Sequence, residues 1–396
     1  MYNPLRYPDD AEPWPIPTTQ GGPIGPRDHV GHIDEFEAVM AAVGPGQVGA
    51  LCMGDRRMGK TSLIRLVEEV LRRDGAALVL SVSAETSHPA VFATRLREAV
   101  LGTGWLGSEV RKWEVDVDVT YKGIRLRRSR GGKAPDGDDD LLVFAAAKAR
   151  PHRLVVMIDE IAVLAAALAK GDPDNALEFL RSLRRARQEA DNLAVVLSGS
   201  IGLHHVVSSM QGVNDLARVR VDALRADEAA FLARCLILGS PIETADDAAL
   251  AAAMADACGG GAFALHHVAA RLAARPGPVG PGGVEPIVAG LLADPDDPLD
   301  YRHYRDRLPD YYGPDAGLAR AVLDQLALAS DRGLTVDEAA ARLAATEIEP
   351  RPGRERLVHV IERLERDNSL VRDGTRSRFA SPLLRRAWIA IQRLDG

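Results

Sequence analysis

The stretch GDRRMGKT, Gly54 to Thr61, fits the pattern G-x-x-x-x-G-K-[ST], and its flanks narrow the possible folds further. Gln47 to Met53, just before it, is a short apolar run that reads as a buried strand. After it, Leu63, Ile64, Leu66, Val67, Val70 and Leu71 recur at helical spacing. Strand, glycine loop and helix N-terminus is the context a phosphate-binding loop needs. Glycines let backbone N–H groups turn inward around a phosphate, and the helix N-terminus adds partial positive charge. The expected nucleotide-binding set is Gly54, Asp55, Arg56, Arg57, Met58, Gly59, Lys60, Thr61 and Ser62. Lys60 is expected on the β- and γ-phosphate oxygens of ATP, and the Thr61 hydroxyl on Mg2+. The plainer alternative, a polar turn ahead of a helix, does not explain why strand and helix flank the pattern on the required sides.

A phosphate loop alone does not separate kinases, GTPases and ATPases. Leu154 to Ile158 is a continuous apolar run of a fully buried strand, and it ends in Asp159-Glu160. An aspartate there can hold Mg2+, and the adjacent Glu160 can polarise a water for attack on the γ-phosphate. Two carboxylates at the exit of a buried strand are costly unless they meet a cation. Helix capping by Asp159, with Glu160 in the first turn, is the structural alternative. Leu193 to Leu197 is another buried strand, ending in Ser198-Gly199-Ser200. In ATPases with an extra strand between the loop strand and the acidic strand, a polar residue here touches the γ-phosphate or the attacking water. Ser200 or Ser198 fills that position, unless the serines merely close the strand in a turn.

In this order the motifs resemble the archaeal-type, STAND-like branch of the AAA+ ATPases, relatives of the Orc/Cdc6 initiators. His29 to Val39 resembles the family box that caps the adenine ahead of the loop; it carries Gly31, with His32 in place of the usual arginine. Gly259 to Leu272 resembles the lid motif, with Ala262 where a proline is usual, and implies a nucleotide contact at His267. Arg378 to Trp388 resembles the end of a winged helix. The resemblance implies a P-loop NTPase core of the α/β class with a parallel sheet, a helical lid and a winged helix-turn-helix domain. It also implies ATP and Mg2+ as cofactors, and a homo-oligomer in which an arginine from the next protomer acts in trans. Arg218, just before the last core strand, is the candidate, with Arg220 inside that strand second; pairing with Asp215 or Asp222 is the structural alternative.

The chain then divides as a proline-rich arm at 1–28, an ATPase core at 29–222, a lid at 223–275, a connector at 276–313 and a winged helix at 314–396. The arm has no apolar core, so it reads as loosely docked or disordered rather than as a secretory signal. Lys60 and Asp159 lie almost a hundred positions apart, and the surplus suggests a β-hairpin inserted at 110–137, turning at Lys122-Gly123, with a flexible loop after it. Such a hairpin tracks nucleic acid through Arg125, Arg127, Arg128 and Arg130, or is a solvated surface ribbon. The last helices read as Ala316 to Ala329, Thr335 to Ala345 and Gly353 to Leu370, then two strands around Asp373-Gly374. From Arg351 to Arg393 there are eleven arginines against five acids. Arg354, Arg356, Arg363, Arg372 and Arg376 are candidates for DNA phosphates; the alternative is a winged helix packed on the ATPase as a regulatory element.

A net charge of −7 gives the whole molecule no general attraction to nucleic acid. The three cysteines are far apart, which fits a reducing, cytoplasmic setting without disulfides or zinc, and no apolar stretch suits a membrane. The expected function is an oligomerising, Mg-dependent ATPase switch that contacts DNA or a partner protein. The alternatives are a DNA-binding initiator or loader, and a nucleotide-binding regulator with negligible turnover. Glu160 argues against the last, since binding alone needs no water-polarising base.

Overall fold

The computed structural model describes residues 12–85, 88–110, 114–129, 137–170, 172–199, 203–207, 210–345 and 353–394. They form two units, Met1–Gly22 with Asp222–Gly396, and Pro23–Val221.

In the second of these, α1 (Ile33–Ala42) precedes β1 (Gly49–Met53), and the glycine loop leads from β1 into α2 (Lys60–Arg73). Next come β2 (Leu78–Ser83), α3 (Pro89–Gly102), α4 (Gly104–Val110), β3 (Glu114–Thr120), β4 (Gly123–Ser129), β5 (Gly137–Asp140) and α5 (Leu141–Ala149). The acidic strand β6 (Leu154–Asp159), α6 (Ile161–Ala169), α7 (Pro173–Glu189), β7 (Leu193–Gly199) and β8 (Ala217–Arg220) complete it. The main sheet has the order β2-β6-β7-β1-β8, and all its pairs are parallel. An extra strand, β7, thus separates the loop strand from the acidic strand. Parallel strands covered on both faces need apolar residues at successive positions. Here Leu51, Val156, Ile158, Val195 and Leu197 pack with α3, α5, α6 and α7. Ala50, Cys52, Val155, Met157, Ala194 and Val196 pack on the other face with α1 and α2.

The insertion departs from the two-stranded, solvated hairpin. Its turn falls at Tyr121-Lys122, one residue early, with Thr120 opposite Gly123. Gly137–Asp140, expected as loop, pairs with β4 as a third strand. Val117, Val119, Ile124 and Leu126 are buried in the core. The arginines between them are placed against aspartates, Arg125 in register with Asp118 and Asp140, and Arg127 3.3 Å from Asp118. Arg130 lies outside the described residues, as does the side chain of Arg128.

The other unit begins with part of the arm, whose described residues around Ile16 are docked. Ile16 is buried, its N–H donates to the Cys235 carbonyl at 3.0 Å, and Trp14 meets the edge of Phe231. A Cβ on Gly239 would lie 2.0 Å from the Ile16 carbonyl oxygen, so the arm seats only on a glycine there. The helices α8 (Ala226–Leu238), α9 (Asp247–Ala257), α10 (Ala262–Ala273) and α11 (Val284–Ala293) follow. The connector contains α12 (Arg302–Asp306) and α13 (Leu308–Tyr312) and belongs to the C-terminal core, where Tyr304, Leu308 and Tyr312 are buried with Leu357 and Trp388. That core is completed by α14 (Ala316–Ala327), β9 (Leu334–Thr335), α15 (Val336–Ala344), α16 (Arg354–Arg366), β10 (Leu370–Asp373), β11 (Arg376–Phe379) and α17 (Pro382–Gln392). Thr335 and Glu338 form the expected capping box on α15. The β10–β11 turn falls at Gly374-Thr375, and β9 adds a third strand beside β11. Arg386 of α17 bonds the Ala257 carbonyl at 3.5 Å and pairs with Glu285, which fastens α17 to α9 and α11.

Candidate functional site

The glycine loop turns where its residues allow it to. Gly59 has φ 91, a backbone that side chains rarely adopt, and it caps α2. Gly54 is required for a different reason: a Cβ there would stand 2.1 Å from the Val221 carbonyl oxygen. Between them Arg56 and Arg57 are exposed while Asp55 is buried, its carboxylate accepting the Arg56 N–H at 3.0 Å. Lys60 is only 5% exposed, and its Nζ donates to the Asp55 carbonyl at 2.5 Å. Burial pulls its pKa down, opposed by Glu160 and then by Asp55 and Asp159. Ser62, also buried, accepts the Ile24 N–H at 3.2 Å.

The acidic pair splits its duties. The Thr61 hydroxyl donates to Asp159 Oδ2 at 2.8 Å, and the Ser198 hydroxyl donates to Oδ1. Asp159 therefore does not cap α6; Glu160 occupies the cap position with a left-handed backbone at φ 56 and no side-chain cap bond. A non-glycine residue in that region is strained by roughly 1–3 kcal/mol, which the surrounding structure must over-determine. Ser198 is fully buried at the register position of Cys52, so its hydroxyl is committed to orienting Asp159. Ser200, the other serine expected here, lies outside the described residues.

Two further expected contributors are Arg218 and His267. Arg218 lies inside β8, not before it, two positions from Arg220 on the sheet's edge strand, and it is exposed. Asp215 is bound instead by the buried Arg187 at 2.9 Å. His267, on α10 in the other unit, is buried with its ring against Phe263. Gly31 is left-handed at φ 79 and buried, and it delivers His32 to the loop: a Cβ on Gly59 would meet His32 Nε2 at 3.2 Å. Sequence reasoning assigned His32 no role; the only signal was its departure from the usual arginine.

The five C-terminal arginines expected on DNA are engaged within their own domain. Arg354 pairs with Asp337 at 3.2 Å, Arg356 with Asp315 at 2.6 Å and Arg372 with Glu365 at 3.0 Å. Arg376 grips both carboxylate oxygens of Glu338 at 2.8 and 2.9 Å, and Arg363 bonds the Tyr311 carbonyl while lying over the Tyr312 ring.

The residues at the loop fit a nucleotide and its magnesium. A buried ammonium and a left-handed glycine at a helix start suit phosphate, and a threonine hydroxyl beside an aspartate is a hard-oxygen donor set for Mg2+. Among the described residues no cluster of three or more His, Cys, Asp or Glu side chains could hold a metal by itself, so phosphate and water oxygens must supply the remaining ligands. Nor is any described helix long and apolar enough to cross a membrane.

No protein-family model and no curated protein sequence matches the chain. Solved structures do. The Walker-type ATPase paby2304 of Pyrococcus abyssi superposes with a TM-score of 0.57 at 14% identity, covering 93% of this chain and 98% of that one. The ORC2 protein of Aeropyrum pernix gives 0.48 at 12% identity, covering 92% of each chain. The fold is that of the P-loop NTPases.

Proposed function

We propose that this chain is a Mg2+-dependent ATPase of the AAA+ type, similar to the Orc/Cdc6-related and STAND-like branch, working as an oligomerising switch. The observation that carries the reading is the joining of three motifs in one hydrogen-bond network, Thr61–Asp159–Ser198, beside the buried Lys60. Magnesium, when bound, neutralises charge on the phosphates. Thr61 and Asp159 hold it, Ser198 keeps the aspartate oriented, Lys60 binds phosphate oxygens, and Glu160 takes a proton from the attacking water. The left-handed backbone at Glu160, one of several non-glycine residues at positive φ, supports that role because it fixes the carboxylate next to Asp159.

The C-terminal domain is read as a winged helix that meets a protein partner or its own ATPase rather than DNA. Its candidate arginines already face carboxylates within the domain, which lowers the net positive charge they present to a phosphate. Attachment of α17 to the lid helices through Arg386 supports a relay from lid to C-terminal domain. Three buried free cysteines fit a reducing cytoplasm.

Calorimetric titration with Mg-ATP tests the core of this reading. Lys60→Ala removes charge-assisted contacts worth roughly 1.5–3 kcal/mol each, so affinity should fall by at least tenfold. Equal affinities would sink the phosphate-binding assignment.

A further inference from the structure

We infer that Arg184 and Arg187 of α7, with the turn 211–215 ahead of β8, form a binding site for a small monovalent anion of the chloride type. The site lies at the end of the sheet opposite the phosphate loop: Ala217, two positions after Asp215, pairs with Ala50 near the start of β1. Arg181, Arg184 and Arg187 recur every three residues, a row along one side of α7. Together they hold the turn. Arg181 donates to the Gln211 side chain at 2.7 Å, and Arg184 to the Gln211 carbonyl at 2.9 Å and the Asn214 side chain at 3.1 Å. Arg187 donates to the Gly212 carbonyl at 3.1 Å and to the Asp215 carboxylate at 2.9 Å.

Charge and donors are both left over. Arg181 has Glu178 at 2.5 Å, whereas Arg184 and Arg187 share Asp215, at 4.0 and 2.9 Å. Among the described residues no other carboxylate is within ion-pair distance of either. Two guanidiniums against one carboxylate leave one positive charge. The side chain of Arg187 is completely buried. Its Nε and Nη1, and the Nε of Arg184, are buried without a hydrogen-bond partner among the described residues. Burial pulls the Arg187 pKa down, Asp215 opposes the fall and Arg184 adds to it. A buried cation with unmade hydrogen bonds is costly, and the turn cannot close on it. A Cβ on Gly212 would lie 2.5 Å from the Leu180 carbonyl carbon, so turn and helix already touch. Water would satisfy a donor and leave the charge. A monovalent anion answers both, whereas a divalent oxyanion would reverse the sign and cost more to strip of water. Arg184 and Asp215, with side chains 35% and 23% exposed, give the ion a way in from the surface.

Full-length protein without nucleotide is melted at fixed ionic strength while sodium gluconate is exchanged for sodium chloride or bromide, alongside Arg184→Gln and Arg185→Gln. Both variants remove one positive charge, and the phosphate loop is common to all three proteins. Only Arg184 belongs to the site; Arg185 is exposed on the same helix. Wild type and Arg185→Gln should gain about 2–4 °C, with saturation, as halide replaces gluconate, and Arg184→Gln should lose that gain. Equal halide dependence in all three proteins, or none in wild type, overturns the inference. A gain lost equally in Arg185→Gln is general charge screening and overturns it too. Should Arg184→Gln fail to fold, bromide-soaked crystals of wild type decide the matter, with an anomalous peak expected within hydrogen-bond distance of the Arg187 guanidinium. Peaks on exposed side chains alone mean an adventitious ion only, and a peak at Arg187 without halide-dependent melting means binding at crystal concentration only. Either result overturns the inference.

Discussion

The Thr61 hydroxyl donates to Asp159 Oδ2 at 2.8 Å, joining the first turn of α2 to the end of β6 across 98 positions, although β6 and the loop strand β1 are not neighbours in the sheet. The strand between them, β7, contributes Ser198 to the other carboxylate oxygen. One aspartate is thereby aimed from two sides, and the order β6-β7-β1 makes this possible.

Thr61→Ala should leave the fold intact and remove both a proposed metal ligand and one of the bonds that orient Asp159. The expected outcome is a loss of magnesium dependence: ATP affinity should be similar with Mg2+ and with EDTA, where wild type shows a difference of roughly tenfold or more. Paired titrations with and without Mg2+ measure it, and a mutant that keeps the full difference would place the metal elsewhere.

Glu160→Gln keeps the shape of the side chain and removes the base. Nucleotide should bind with near-normal affinity while phosphate release falls by roughly 10²–10⁴-fold. A single-turnover phosphate assay reports this directly. Wild-type turnover in the mutant would reduce Glu160 to a helix-start residue.

At Gly54 the prediction concerns stability. An alanine Cβ would meet the Val221 carbonyl oxygen at 2.1 Å, so β1 and the chain leaving β8 must separate. Gly54→Ala should destabilise the unit Pro23–Val221 by about 2 kcal/mol or more and lower its melting temperature. Gly282→Ala, where a Cβ meets nothing within 4 Å, serves as the control. Matching melting curves for both variants and wild type would contradict the observed packing.

Arg218 is exposed on an edge strand, and Asp215 is held by Arg187; the proposed oligomer gives Arg218 a role on the neighbouring subunit. Under that reading Arg218→Ala binds ATP normally but cannot activate a neighbour, with a loss of roughly 10³-fold or more in turnover. Mixing it with Glu160→Gln should restore some activity at hybrid interfaces. Hydrolysis that is first order in protein and indifferent to Arg218→Ala would rule the trans arginine out.

The phosphate loop, the acidic strand and the α15 capping box were legible because each is written in neighbouring residues. Periodicity, a glycine at a left-handed position and an acid beside a buried strand are consequences of local backbone geometry and burial. Tertiary structure decided the rest. The Asp-rich Gly137–Asp140 has little intrinsic strand preference and becomes β5 because β4 offers it an edge with arginines in register. The arm reads as loose, yet Ile16 finds a site that exists only because Gly239, more than two hundred residues away, lacks a side chain. The count of arginines near the C-terminus was legible, whereas their pairing with Asp315, Asp337, Glu338 and Glu365 depends on long-range placement. Local rules set most of the elements and where the chemistry begins. Which side chains face one another depends on the packing of distant segments, and no pattern of near neighbours encodes that.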